Sequence, residues 1–368
     1  MRKNRRKILM AGMTALTIGA AAVGCGANTD SASAETTTNS STVESGNIIS
    51  DSYDNTEKLS SVFPVINPTP IDTKMQKNIQ NRLLNGFENW NRGYDAWEAW
   101  GDILYTEDSL YNVHGVKLTL KEYQSSMNAT LKSTDIQMGN FNNMIFSGDW
   151  TAIRYDISTT NRQTRETVDG SVMEFVKFKD YGDELGTRVV EGWAGTKGAD
   201  FVGLSSFQTD EEKAQQQADL TAIINTEILN TTNLEAKYPV LNPTPIETDL
   251  AKMIQTAILN DFENWNQGAD AWTQWADTYY DSSLKYHINS ETMTLADYKA
   301  SVKDASSSTN VKRINFDNML ISGDWAAIHY RVTNQDVATG EKTASDVMQF
   351  LRFVKNGGSV KVIESWTS

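Results

Sequence analysis

Ten tryptophans, three histidines and one cysteine carry most of the chemistry open to this chain. Trp100, Trp193, Trp275 and Trp366 stand near the ends of elements, where indole rings would line a cavity with apolar area and an orienting N–H. The stretch Tyr111-Asn112-Val113-His114 and its counterpart Tyr286-His287-Ile288-Asn289 read as strands. Period-two alternation places their Asn/His pair on one face and Tyr with Val or Ile on the other. His114 and His287 are therefore candidate polar groups of the cavity, with a hydrogen-bonded structural role as the alternative for each. Glu191 and Glu364 share a strand face with Trp193 and Trp366 and could orient a ligand at the cavity mouth. Histidines spread over both halves and a lone thiol give no ligand cluster of usual spacing, so no metal is expected, and no cofactor. One cysteine also excludes an intrachain disulfide. The sequence carries no phosphate-binding loop or nucleophile elbow, which weighs against a hydrolase.

These residues come in pairs. FENWN-x-G-x-DAW-x-x-W occurs from Phe87 to Trp100 and again from Phe262 to Trp275, with Trp265 following Trp90 by 175 positions. All ten tryptophans fall into pairs: Trp90/Trp265, Trp97/Trp272, Trp100/Trp275 and Trp150/Trp325 at the same 175-position offset, and Trp193/Trp366 at 173. The leader Pro64-Val-Ile-Asn-Pro68-Thr-Pro70 likewise returns as Pro239-Val-Leu-Asn-Pro243-Thr-Pro245. A period this long is a whole domain copied in tandem, since roughly 130 residues can enclose a core of their own.

Ahead of the repeats, Arg2, Lys3, Arg5, Arg6 and Lys7 precede an apolar run from Ile8 to Val23 that is short for a membrane span. The run ends at Ala22-Val23-Gly24-Cys25, and Cys25 is the only cysteine. This resembles the lipobox of bacterial lipoproteins, which implies that Cys25 is lipidated and becomes the mature N-terminus. Residues 26–62 are rich in Ser, Thr, Asn and acids, cannot bury enough apolar area to order, and would form a tether of roughly 30 Å. Removing five basic residues and no acidic ones takes the net charge from −14 to about −19. Such a balance excludes nucleic acid and electrostatic attachment to anionic lipid, so the membrane is reached through the lipid alone. The implied location is the outer face of a Gram-positive-type membrane.

Within each repeat, Met75, Ile79, Leu83, Phe87, Trp90, Tyr94 and Trp97 recur at steps of three and four, as do Leu250, Ile254, Ile258, Phe262, Trp265, Ala269 and Trp272. That is the stripe of an amphipathic helix. Gly93 and Gly268 interrupt it, and Asp95 and Asp270 can cap a fresh short helix. Thr119-Leu-Lys-Glu122 is a capping box for a further helix. Alternating segments follow, with Ser147-Gly148-Asp149 and Ser322-Gly323-Asp324 as hairpin turns, which also account for Asp149 and Asp324 structurally. Helices and then a run of antiparallel strands predict the α+β class. The expected division is a signal peptide over 1–25, a tether over 26–62, domains over 63–200 and 238–368, and a helical linker over 201–237.

This order of elements, with a Trp-rich first helix, Gly-Asp-Trp at a hairpin and Glu191-x-Trp193 or Glu364-x-Trp366 at the end, resembles the SnoaL-like branch of the NTF2-like superfamily. The resemblance implies two cystatin-like cones, each a curved antiparallel sheet wrapped around the long helix, with a pocket at the open end. It also implies pairing of the two copies sheet to sheet as an internal pseudo-dimer. Enzymes of the superfamily move protons in an apolar pocket, and a carboxylate on the strand after the hairpin would serve. There the first copy has Arg154 and Asp156 and the second His329 and Arg331, so two equivalent active sites are not expected.

The leading expectation is a non-enzymatic surface lipoprotein whose domains bind a small, partly apolar ligand or an envelope protein. The alternative is an isomerase, cyclase or dehydratase active in the first domain only, with Asp156 or His114 as base. A third reading makes both domains spacers.

Overall fold

The computed structural model describes residues 54–113, 115–182, 186–197, 204–288 and 291–368. Cys25, the expected signal, most of the expected tether, and His114 lie outside the described residues.

The first element among the described residues falls inside the expected tether. Helix α1 (Thr56–Val62) is pinned by Leu59 and by Phe63 just beyond it, both buried in the first core, so order begins before residue 63. The proline leader forms strand β1 (Val65–Pro68), which lies parallel to β4 (Thr134–Ser147) at the sheet edge, where a missing N–H is tolerated. Helix α2 (Lys74–Asn91) starts at a reciprocal capping box between Thr73 and Gln76. It ends ahead of Gly93, whose φ of 116° breaks the chain direction and makes it the N-cap of α3 (Tyr94–Leu104). Asp95 does not cap; it sits in the first turn, where its charge meets the positive helix end. Gly268 and Asp270 repeat this arrangement.

Next come β2 (Tyr105–Val113), β3 (Val116–Thr119), α4 (Leu120–Leu131), β4, β5 (Trp150–Asn161), β6 (Thr167–Asp180) and β7 (Thr187–Lys197). The sheet order is β1-β4-β5-β6-β7-β2-β3. Beyond a polar helix, α5 (Asp210–Ile224), and the single turn α6 (Leu234–Lys237), the same sequence returns. It comprises β8 (Val240–Asn242), α7 (Asp249–Asn266), α8 (Ala269–Tyr279), β9 (Tyr280–Ile288), β10 (Glu291–Met293), α9 (Leu295–Ala305), β11 (Thr309–Ser322), β12 (Trp325–Asp336), β13 (Lys342–Asn356) and β14 (Ser359–Thr367). Its sheet order is β8-β11-β12-β13-β14-β9-β10.

Both units are α+β, but the sheets are mixed rather than antiparallel. The leader strand and the first long strand join parallel neighbours, β1 on β4 and β2 on β7, with β8 on β11 and β9 on β14 in the second unit. Each long helix touches strands on both sides of its sheet, α2 on β4 and β7 and α7 on β11 and β14, so the sheet bends around it. Phe87 stacks on Phe141, and Phe262 on Phe316, at the same point of the two concave cores.

The convex faces meet each other. Trp150, Met173 and Phe175 of the first sheet form one apolar cluster with Trp325, Met348 and Phe350 of the second. At the rim, the contacts are reciprocal. A Cβ on Gly148 would lie 3.3 Å from Pro245, and one on Gly323 3.4 Å from Pro70. Corresponding positions of the two units thus meet each other across the contact.

Candidate functional site

Four tyrosines line each concave face at matched positions: Tyr105, Tyr111, Tyr123 and Tyr155 in the first unit, Tyr280, Tyr286, Tyr298 and Tyr330 in the second. What they surround differs.

In the first unit the centre is Glu174 on β6. Alternation puts it on the same face as Val172, Val176 and Phe178, all core residues. The Tyr155 hydroxyl donates to Glu174 Oε1 at 2.6 Å and the Tyr111 hydroxyl to Oε2 at 2.7 Å. Tyr111 stacks on Tyr123 and meets Tyr105 edge-on, closing an aromatic wall. Val172 and Val176 are 3 % exposed, whereas Glu174, Tyr105 and Tyr123 are only partly buried. Burial raises the Glu174 pKa, and the two phenol hydrogen bonds pull only partly the other way. Burial, and then the Glu174 charge, hold the Tyr111 and Tyr155 hydroxyls well above their ordinary pKa, so both stay donors. A carboxyl poised this way can accept a proton, return it, or hold a ligand by hydrogen bonds.

The arrangement depends on Gly192 in β7. A Cβ there would lie 2.1 Å from the Tyr111 ring, so only glycine admits the tyrosine at this place. Trp100 is 3 % exposed in the first core, and its indole N–H, near Gly86, has no partner among the described residues.

The second unit keeps the stacked tyrosines, Tyr286 on Tyr298, but differs in what they surround. Gln349 stands where Glu174 does and donates to Ser365, the residue matching Gly192. The Tyr286 hydroxyl accepts from Thr367. The interior also holds a buried ion pair between Arg313 and Asp261, at positions where the first unit has Met138 and Gly86. Trp272 Nε1 donates to Asp261 at 2.9 Å, and the Arg313 guanidinium lies 4.1 Å over the Trp265 ring. Pair and rings occupy the middle of that unit.

The residues singled out by sequence are dispersed. Asp156 lies on the convex face, exposed, and accepts from Asn142 at 2.7 Å, so it does not reach the interior as a base. Trp193 and Trp366 do not line the interiors either; both pack against the cluster between the sheets and donate to Glu191 and Glu364. Strand alternation explains this, since Gly192 and Ser365 hold the inward positions beside them. His287 is also convex, stacked on Trp366 at 3.7 Å, with burial lowering its pKa. Trp275 is half-buried against the second core and stacks on Tyr279. Of the expected set, Trp100 alone among the described residues stands in the first core. Glu174 was missed because a lone Glu in Val172-Met-Glu-Phe-Val176 reads as an ordinary polar position; four inward tyrosines recurring in both units were the available signal.

No family model matches this chain, and no curated protein matches it. Solved structures do. AclR from Streptomyces galilaeus is 18% identical, covering 36% of this chain and 98% of its own, with a TM-score of 0.29. A ketosteroid isomerase-like protein from Erwinia carotovora atroseptica is 14% identical over 34% of this chain and 98% of its own, TM-score 0.28. An NTF2-like protein of unknown function from Burkholderia pseudomallei is 12% identical over 33% and 90%, TM-score 0.27. Each neighbour has about the length of one of the two units.

Proposed function

We propose that the first unit is the working half of a lipid-anchored, exported protein and takes a small, partly apolar molecule between Tyr105, Tyr111, Tyr123 and Glu174. The second unit, closed by its own ion pair, is a structural partner. The observation that carries this reading is the Glu174/Gln349 difference: one carboxyl between two phenol donors in the first unit, an amide tied to a serine in the second. The tyrosine rings supply apolar area, while Glu174 and the bare Trp100 N–H supply the few directional groups that fix a ligand's orientation. Both units are read as NTF2-like cones arising from tandem duplication, on the strength of their shared element order and paired tryptophans. Cys25 is the proposed anchor.

Ligand-observed NMR with a panel of phenols and cyclic enones tests the reading. Binding that Glu174→Leu abolishes and Gln349→Leu leaves intact is the expected result; equal loss in both variants, or no binding by the parent chain, contradicts it.

A second reading, proton transfer on that molecule, is favoured by one observation. Glu174 has a raised pKa and shares its two oxygens with protonated phenols, so acid, base and oxyanion donor meet at one point. In this reading Glu174 takes the place of Asp156.

A further inference from the structure

We propose that Asp317, His329 and Asp346 form a binding site for one divalent transition-metal ion, of zinc-like ligand preference, on the convex face of the second sheet. The three come from adjacent strands, β11, β12 and β13, and their ligand atoms lie within 4.8 Å of one another. His329 Nε2 is 3.9 Å from Asp317 Oδ2. Metal bonds of roughly 2.0–2.1 Å at a tetrahedral angle set such atoms about 3.3 Å apart. The pair therefore closes by less than an ångström, and exposed Asp346 moves in from the solvent side.

The backbone explains why the ligands converge. Pairing between β11 and β12 slips between Phe316 and Asn318, and Asp317 is the extra residue, turned toward the convex face beside Asn318. Asp346 lies opposite Arg331 on the next strand, two steps from the partner of His329.

An independent observation points to a missing ligand. His329 is 0 % exposed, and neither ring nitrogen has a partner among the described residues. Buried imidazoles are ordinarily hydrogen-bonded or metal-bound. Trp193 and Phe175 cover the ring at 4.9 and 5.6 Å, which leaves the Asp317 side as its polar outlet. Asn318, cross-strand from His329, is equally buried with both amide atoms unpartnered.

Charge agrees. Arg331 Nε bonds Asp317 at 2.8 Å and lies 3.9 Å from Asp346, so one guanidinium faces two carboxylates. The first unit has Asn142, Arg154 and Ser171 at the matching positions, so the site occurs once per chain.

Titrating the chelator-stripped full chain with Zn²⁺ in a calorimeter, and with Co²⁺ by visible absorption, tests the proposal. One ion per chain is expected, with a cobalt spectrum of nitrogen and oxygen ligation. Asp346→Asn, at an exposed position, weakens binding by about 10–100-fold or more, and His329→Ala abolishes it. Arg331→Gln removes a competing cation and tightens binding, an outcome that a purely structural ion-pair network does not give. Asp156→Asn, the acid on the matching face of the first unit, leaves binding unchanged. Absence of stoichiometric binding by the folded parent chain, or an affinity indifferent to Asp346→Asn, overturns the proposal.

Discussion

Gly192 and Ser365 stand at the same step of two equivalent strands, and the side chain that separates them decides what each interior contains. The Tyr111 ring passes where a Cβ on Gly192 would be and reaches Glu174. Ser365 fills that place and takes the amide of Gln349. Gly192→Ser is therefore expected to displace Tyr111, lower stability by about 1–3 kcal/mol through overpacking, and remove phenol binding. Urea unfolding together with the NMR panel checks both effects. A variant as stable as the parent that still binds would show that the glycine is incidental.

The raised pKa of Glu174 makes a signed prediction. Its folded form keeps a proton that the unfolded chain releases, so between the ordinary glutamate range and the folded pKa the native state binds more protons and stability falls as pH rises. Glu174→Gln keeps the hydrogen-bonding shape without the charge. The variant should be more stable than the parent at neutral pH, with the advantage vanishing below about pH 4. Thermal midpoints of the two chains across that range read it directly; an advantage independent of pH would contradict the assignment.

In the second unit, removing one member of the Asp261–Arg313 pair leaves a buried charge. Asp261→Ala alone should cost about 3–5 kcal/mol, whereas the double variant with Arg313→Met, the residue of the first unit, should recover much of that loss. A double-mutant cycle by denaturant unfolding measures the recovery. Additive losses would mean the two groups act independently.

The contact between convex faces should outlast the covalent link. With a protease site introduced at 226–230, beyond helix α5, cleavage is expected to leave both halves eluting together in gel filtration, held by the Trp150, Phe175, Trp325 and Phe350 cluster. Separate elution after cleavage would place the stability in the linker.

Much of this architecture was legible in the residues themselves. The tryptophan pairs and the stripe from Met75 to Trp97 marked two units of like element order and their central helices, because helical periodicity is a local property. The break at Gly93 was legible too, although the cap proved to be the glycine and not Asp95. The parallel strands β1 and β8 were not, since their partners lie some 75 positions away and a proline leader gives no pairing signal. For the same reason the inward carboxyl escaped notice. Glu174, Tyr111 and Tyr155 sit on three strands, and sequence spacing says nothing of which strands become neighbours. Asp317, His329 and Asp346 likewise meet only because a bulge turns Asp317 outward.

The most direct test is to locate a bound molecule. Crystals of the chain soaked with a phenol that the NMR panel identifies should show it in the first unit, its oxygen beside Glu174 and the Tyr155 and Tyr111 hydroxyls, and nothing between Arg313 and Gln349. Density in the second interior, or equal density in both, would contradict the division of labour proposed for the two halves.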